Sequence, residues 1–291
     1  MPYNYVESFL TILSQKYAQE LTSAALTTAN AQFVGTKTVK IPRLDVAGYK
    51  DHSRNGGWNR QAIANDFELK VLQHDRDVEF FVDAMDVDET NQILSAANVT
   101  NTFEEEQAIP ELDKYRYSKL YSEVEDLGGT INTVVPSLSN VLSIFDDMME
   151  AMDEAGVPQS GRIMYVTPTM KKLLKQADKV QRTIEVTGNN GVVDRAVRSL
   201  DDVTLVMVPS DRLKSSFDFT SGAVPGVGAK QINMILVHPS AVLAPVKHSV
   251  IYLWEPGSHT GGDGYLYQNR RYTDLFLLER KLAGVQINAQ A

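Results

Sequence analysis

The sequence predicts an α+β fold, with a small α+β or α/β unit after a long helix. Three observations carry this. Apolar and polar residues alternate in three runs between about 36 and 86. Leu138, Val141, Leu142, Phe145, Met148, Met149 and Met152 recur at helical spacing over about 137–155. Strand-like and helix-like stretches then alternate before a strand-rich C-terminal part. With 291 residues, 43% of them hydrophobic, the chain has apolar material for one large domain or two ordinary ones.

The first segment reads as a helix. Val6, Leu10, Leu13, Tyr17, Leu21 and Ala24 fall at three- and four-residue steps, and Asn4 with Glu7 resembles a capping box. The pattern stops in Thr27-Thr28-Ala29-Asn30. Nothing after it closes a compact unit, so this is an arm that docks elsewhere. The three alternating runs follow, around Val39 and Ile41, around Phe67, Leu69 and Val71, and around Val78, Phe80, Val82 and Ala84. The first two are separated by Asp51-His52-Ser53-Arg54-Asn55-Gly56-Gly57-Trp58, where Asn55-Gly56 is a turn signal. Pro42 suits an edge strand. A long two-stranded excursion is marginal alone, so it needs a neighbour. Its polar character predicts ionic and backbone contacts to that neighbour.

A helix capped by Asp86 or Asp88 is expected through Thr90, Ile93, Leu94 and Ala97. A second helical run holds Phe103, Ile109, Leu112, Leu120 and Val124. Glu104-Glu105-Glu106 sits near its favourable N-terminal end, and Pro110 kinks it or starts a new helix. Leu127-Gly128-Gly129 ends it. The helix over 137–155 stops at Gly156, with Pro158 beyond. Strands follow at 162–166, 203–208 and 232–238, with Thr167-Pro168 opening a short helix through Leu173 and Leu174. The chain closes with strands at 250–254, 265–267 and 272–279 and a last run at Val285-Gln286-Ile287. There is no internal repeat.

Composition narrows the function. The absence of cysteine excludes disulfides, thiolate metal sites and a cysteine nucleophile. A formal charge of −9 argues against tight sequence-independent DNA binding. No apolar run approaches the ~20 residues of a membrane span, and Met1-Pro2-Tyr3-Asn4 has no basic signal-peptide region. The expectation is a soluble, acidic, intracellular protein with no membrane association. The five histidines lack zinc spacing, and no Gly-x-Ser-x-Gly elbow is present. His238 reads as a packed or capping residue, and His52 as exposed or intersubunit. The glycine-rich stretch from Gly222 to Lys230 precedes a strand and lacks Gly-Lys-Ser/Thr, so it reads as a surface loop. Lys171, Lys172, Lys175, Lys179 and Arg182 read as a solvated helix face or as an ionic contact with an acidic patch or phosphates. The methionine stripe and the aromatics Tyr265, Tyr267, Tyr272 and Phe276 read as packing. No catalytic constellation, metal site or cofactor is expected.

The order of elements is more specific than any motif. Lys37-Thr38-Val39-Lys40-Ile41-Pro42 leads to Ser53-Arg54-Asn55-Gly56-Gly57 as an extended loop would. Asp86-Val87-Asp88-Glu89-Thr90 leads to Pro110-Glu111-Leu112-Asp113-Lys114-Tyr115-Arg116 like a long spine helix. Leu236-Val237-His238-Pro239-Ser240-Ala241-Val242 and Tyr272-Thr273-Asp274-Leu275-Phe276-Leu277-Leu278 look like late strand steps. In this order they resemble the major capsid proteins of tailed bacteriophages, the HK97-like fold that encapsulin shells share. The resemblance implies an N-terminal arm (1–35), an extended β-hairpin loop (36–86), a peripheral domain with the spine helix (87–135 and 247–291) and an axial α+β domain (136–246). It implies a structural, non-enzymatic coat protein in the virion, assembled in the host cytoplasm. Such a protein forms pentamers and hexamers in an icosahedral shell around double-stranded DNA, without sequence-specific binding. A separate scaffolding protein and a portal are implied partners. The candidate intersubunit residues are Lys50, His52, Arg54, Trp58 and Arg60 on the loop, Lys114, Arg116 and Lys119 on the spine helix, and Arg270 and Arg271. Some members cross-link Lys to Asn, and Lys50 lies in that region, but no partner Asn is assigned. The alternatives are an encapsulin-type compartment, whose cargo groove is not identified, and an α/β enzyme.

Overall fold

The computed structural model describes residues 20–28, 33–35, 37–52, 54, 56–89, 96–177, 186–187, 192–193 and 199–291. A single 3₁₀ turn at Ala24–Leu26 leads into β1 (Thr27–Thr28) and β2 (Phe33–Val34). The strands β3 (Thr38–Val46) and β4 (Ile63–Val71) form a hairpin, followed closely by β5 (His74–Asp83). Helix α1 (Ala84–Glu89), helix α2 (Ala96–Phe103), a π-helical turn (Glu104–Ala108), helix α3 (Ile109–Asp126) and β6 (Ile131–Asn132) come next. Then follow α4 (Val141–Glu154), β7 (Ile163–Val166), α5 (Pro168–Gln176), β8 (Val186–Thr187) and β9 (Val192–Val193). The chain continues through β10 (Ser199–Leu200), β11 (Val203–Met207), β12 (Phe217–Asp218), β13 (Val224–Pro225) and β14 (Ile232–Val237). It ends with β15 (Val242–Trp254), β16 (Gly264–Thr273), β17 (Phe276–Leu277) and β18 (Val285–Ala289).

All six residues of β14 are buried, because both faces of its sheet are covered. That sheet has the order β10-β11-β7-β14-β18-β6. Alternate residues sort its side chains into two cores. Met164, Val166, Met234 and Leu236 face α4 and α5 and pack with Ile144, Phe145, Met148, Met152 and Leu174. Tyr165, Ile235, Val237 and Ile287 face the other way and pack with Tyr117, Leu120, Tyr121 and Val124 of α3. Each such side chain contributes roughly 1.5–3 kcal/mol when fully buried. The closing strand β18 pairs antiparallel with β14, so the chain ends in this sheet.

The second sheet runs β1-β15-β16-β5, with β17 also on β15. The third alternating run is therefore a sheet strand, pairing with β16 from His74↔Thr273 to Asp83↔Gly264, while only β3 and β4 make the hairpin. The sequence predicts separate strands at 265–267 and 272–279. The structure has one strand, Gly264–Thr273. Gln268, Asn269, Arg270 and Arg271 interrupt the hydrophobic pattern, yet each bonds to a carboxylate: Glu79, Glu104, Asp75 and Glu104 respectively.

Two helix starts differ from expectation, those of α1 and α4. Helix α1 begins at Ala84, so Asp86 lies inside its first turn; Asp83 Oδ1 accepts from Met85 N at 2.9 Å and supplies the cap. Pro110 lies in the first turn of α3, the second of the two outcomes expected of it; a π turn precedes it, and Ile109 N bonds back to Glu104 O. Helix α4 starts at Val141, which leaves Leu138 half exposed ahead of the apolar stripe. The predicted stops hold: Gly128 and Gly156 take φ of 73° and 69°, where side chains with a Cβ are strained. Thr167 caps α5, its Oγ1 accepting from Met170 N at 3.4 Å. His238 caps a short turn through Nδ1 and Ser240 N at 3.2 Å. The predicted N-terminal helix, Thr90, Ile93 and Leu94, Asn55, and Lys179 with Arg182 lie outside the described residues. Among the described residues no helix is long and apolar enough to cross a membrane.

Candidate assembly surface

The β3–β4 hairpin has two chemically different faces, set by the two-residue strand period. On one face Val39 and Ile41 pack against Tyr272, Phe276 and Leu243. Further out the same face carries ion pairs to its own chain. Arg43 Nη1 lies 3.2 Å from Glu279 Oε2, Lys70 Nζ lies 3.8 Å from Glu123 Oε2, and Asp45 pairs with Arg280. These contacts pin the hairpin to the helix α3 end of the molecule.

The opposite face corrects the sequence expectation of a polar excursion. Cross-strand pairs Val46↔Ile63, Pro42↔Phe67, Lys40↔Leu69 and Thr38↔Val71 put apolar side chains together there. Leu44, Val46 and Ile63 are 61%, 68% and 71% exposed, and Phe67, Leu69 and Val71 are exposed beside them. Lys40 Nζ sits 3.6 Å from the Phe67 ring centroid, the one charge laid across the strip. An exposed apolar strip of this kind is the candidate contact surface of the molecule. The alternation was visible in the sequence; only the fold reveals that the described residues of the chain leave this face exposed.

At the tip, Lys50, His52, Arg54, Trp58 and Arg60 are all exposed, Trp58 at 93%. Asn59 Nδ2 donates to Asp51 O at 2.9 Å, and the His52 and Trp58 rings lie 6.3 Å apart. Lys50, His52 and Trp58 line one open hollow, with Arg54 and Arg60 outside its lining. The other candidates are used within the chain. Lys114 Nζ donates to Ala223 O at 3.2 Å, and Lys119 Nζ lies 3.0 Å from Glu123 Oε1. Arg270 makes a two-point contact with Asp75 and stays exposed; Arg271 Nη2 donates to Glu104 Oε2 at 2.6 Å.

Arg116 is a correction. It is 2% exposed and donates to Ser23 O at 3.0 Å and Ser23 Oγ at 3.2 Å, out of reach of any neighbour. Burial lowers its guanidinium pKa below the usual range. It belongs to an internal clamp centred on Asp113, which the sequence reading missed. Asp113 accepts from Thr22 N at 3.1 Å, Thr22 Oγ1 at 2.7 Å, Ser23 N at 3.0 Å and Arg212 Nη1 at 2.8 Å. The clamp ties the chain entering β1, the spine helix and the loop after β11 into one unit. A carboxylate at helical step with Tyr117, Leu120 and Val124, on the buried stripe, was its only sequence signal.

His74 lies at the root of β5, stacked on Tyr115 at 3.6 Å between centroids and edge-on to Phe219. It borders a 260 Å³ cleft with Arg76, Phe103, Glu111, Asn269 and Arg271, whose arginines are taken up by Glu111 and Glu104. Burial, with Arg76 beside it, lowers the imidazole pKa to about 4. The unfolded chain then binds this proton from pH 6.5 downward and the folded chain only near pH 4. The stabilising preference is complete above pH 6.5 and is lost as pH falls through that window, by up to about 3 kcal/mol. Urea unfolding of wild type and His74→Phe between pH 7.5 and 4 should show a shallower decline in the variant; parallel curves would refute this assignment.

No protein-family model matches the sequence, and no curated protein does. Solved structures do match over nearly the whole chain. The mature capsid of bacteriophage PhiM1 aligns with a TM-score of 0.71 at 13% identity, covering 99% of this chain and 92% of that one. The capsid of cyanophage P-SCSP1u gives 0.68 at 13% identity, over 99% and 93%. A structure from Mycobacterium phage Che8 gives 0.62 at 15% identity, over 98% and 97%. With its clamped entry strand, projecting hairpin, spine helix and two sheets in this order, the chain has the HK97-like capsid fold.

Proposed function

We propose that this chain is the major capsid protein of a tailed bacteriophage. In this reading it is a structural coat subunit, not an enzyme, that self-assembles through pentamers and hexamers into an icosahedral shell around double-stranded DNA. The observation that carries the reading is the hairpin whose apolar face stays exposed among the described residues, in a fold that aligns end to end with phage capsids. A monomeric protein rarely keeps such a strip in water. A neighbour that covers it completes the core, and many modest contacts add up through the closed lattice. We place the axial domain at 136–246 and the peripheral domain at 87–135 and 247–291, with Lys50, His52, Arg54, Trp58 and Arg60 meeting the neighbour. A separate scaffolding protein and a portal are the expected assembly partners in the host cytoplasm, and the virion is the final location.

The test is electron microscopy of the purified protein, alone and co-expressed with the scaffolding protein. Rings and hollow shells are expected. A uniform population of small globular particles under both conditions would overturn the reading.

A further inference from the structure

Helices α4 and α5 lie side by side on one face of the six-stranded sheet and share a core. Their outer faces carry opposite charge. On α4 the buried residues are Val141, Ile144, Phe145, Met148 and Met152. Asp147, Glu150 and Glu154 lie on the opposite side at three- and four-residue steps, and all three are exposed. The flank of that helix is used internally: Asp153 Oδ1 accepts from Arg162 Nη2, and Asp146 also has a contact within the chain. On α5 the buried residues are Met170 and Leu174. Lys171, Lys172 and Lys175 lie away from them, Lys172 exposed and the other two half-buried. Among the described residues none of these six side chains has an ion-pair partner. Three acids and three lysines thus stand on neighbouring helices without pairing.

We propose that the acidic face of α4 in one subunit docks on the basic face of α5 in the next, as the heterologous contact that closes pentamers and hexamers. This rests on the shell reading above and specifies the occupant of the lysine face as a second copy of this chain. The two faces are different patches of one molecule, as a ring contact requires and a two-fold contact does not. Exposed ion pairs contribute little each, but they speed encounter and reject wrong orientations. They also tolerate the change in angle between rings of five and six, which close packing of apolar side chains would not.

The test uses three full-length variants: K171E/K172E/K175E, D147K/E150K/E154K, and the combined sixfold swap. Assembly is read by sedimentation and microscopy at ~0.15 M salt, where the Debye length is about 8 Å. Each triple variant should lower shell yield about tenfold or more, because the same contact recurs in every subunit. The sixfold swap should recover it to within about twofold, because the complementarity is restored with signs exchanged. An equal mixture of the two triple variants should form hexamers but not pentamers, since alternating copies close an even ring only. Thermal midpoints within about 2 °C of wild type establish that the subunits are folded. Normal assembly of either triple variant, or a folded sixfold swap that does not recover, would overturn the proposal while leaving the shell reading intact. Wild-type protein that forms no rings or shells would instead sink the shell reading and this inference with it.

Discussion

Asp113→Ala should destabilise the isolated subunit by about 3–5 kcal/mol, which for a domain of this size lowers the thermal midpoint by roughly 10 °C. The carboxylate is fully buried and satisfies four donors at once. Its removal takes away the buried carboxylate that faces the Arg212 guanidinium at 2.8 Å, and takes from the amides of Thr22 and Ser23 the acceptor they use. Each stranded group costs its desolvation in full, which is why losing one partner of such a set costs more than the set contributed. Asp113→Asn keeps the shape and one acceptor oxygen and should cost less than the alanine variant. The chain leading into β1 is held here, so limited proteolysis should also cut near residue 20 faster in Asp113→Ala. Differential scanning calorimetry on dissociated subunits is the measurement. A midpoint within about 2 °C of wild type would show that the clamp is not a stabilising centre.

Replacing Leu44, Val46, Ile63 and Leu69 together by Thr should leave the subunit folded but reduce shell formation by tenfold or more. The four side chains are mostly exposed in the single chain, so their loss removes little intrachain packing beyond the cross-strand contacts, and Thr keeps the strand propensity. Covered by a neighbour, each apolar side chain contributes on the order of 1 kcal/mol. Several such terms per contact, repeated in every subunit, decide whether a lattice closes. Deleting 45–60 should have the same effect, because it removes the tip with Lys50, His52, Arg54, Trp58 and Arg60. The measurement pairs circular dichroism melting of the subunit with microscopy of the assembly. If the fourfold Thr variant made shells in normal yield, the apolar strip would not be an interface. If its melting fell by many degrees, the strip would belong to the subunit's own core.

Much of the fold was legible because short-range periodicity is a local property. The stripe of α4, the cap at Thr167, the stops at Gly128 and Gly156, and the strands β7, β11 and β14 follow from spacing and backbone preference alone. The misreadings share one cause. Gln268 to Arg271 looked like a break because nothing in the sequence places Glu79, Glu104 and Asp75 opposite them. Arg116 looked like a surface cation because nothing places Ser23 against it.

The sequence by itself determined the order of the elements and, through that order, the class of fold. It also determined that Phe67, Leu69 and Val71 share one side of their strand; the register that brings Leu44 and Val46 onto the same apolar face came from the fold. Only the tertiary structure decided where that face points. Whether an apolar face meets its own core or stays open depends on contacts between residues more than two hundred positions apart, such as Arg43 with Glu279. Those contacts turn the charged face inward onto the chain and leave the hydrophobic one outside. Burying the apolar face therefore requires a second molecule, and that need is written in the tertiary arrangement, not in the pattern of residues.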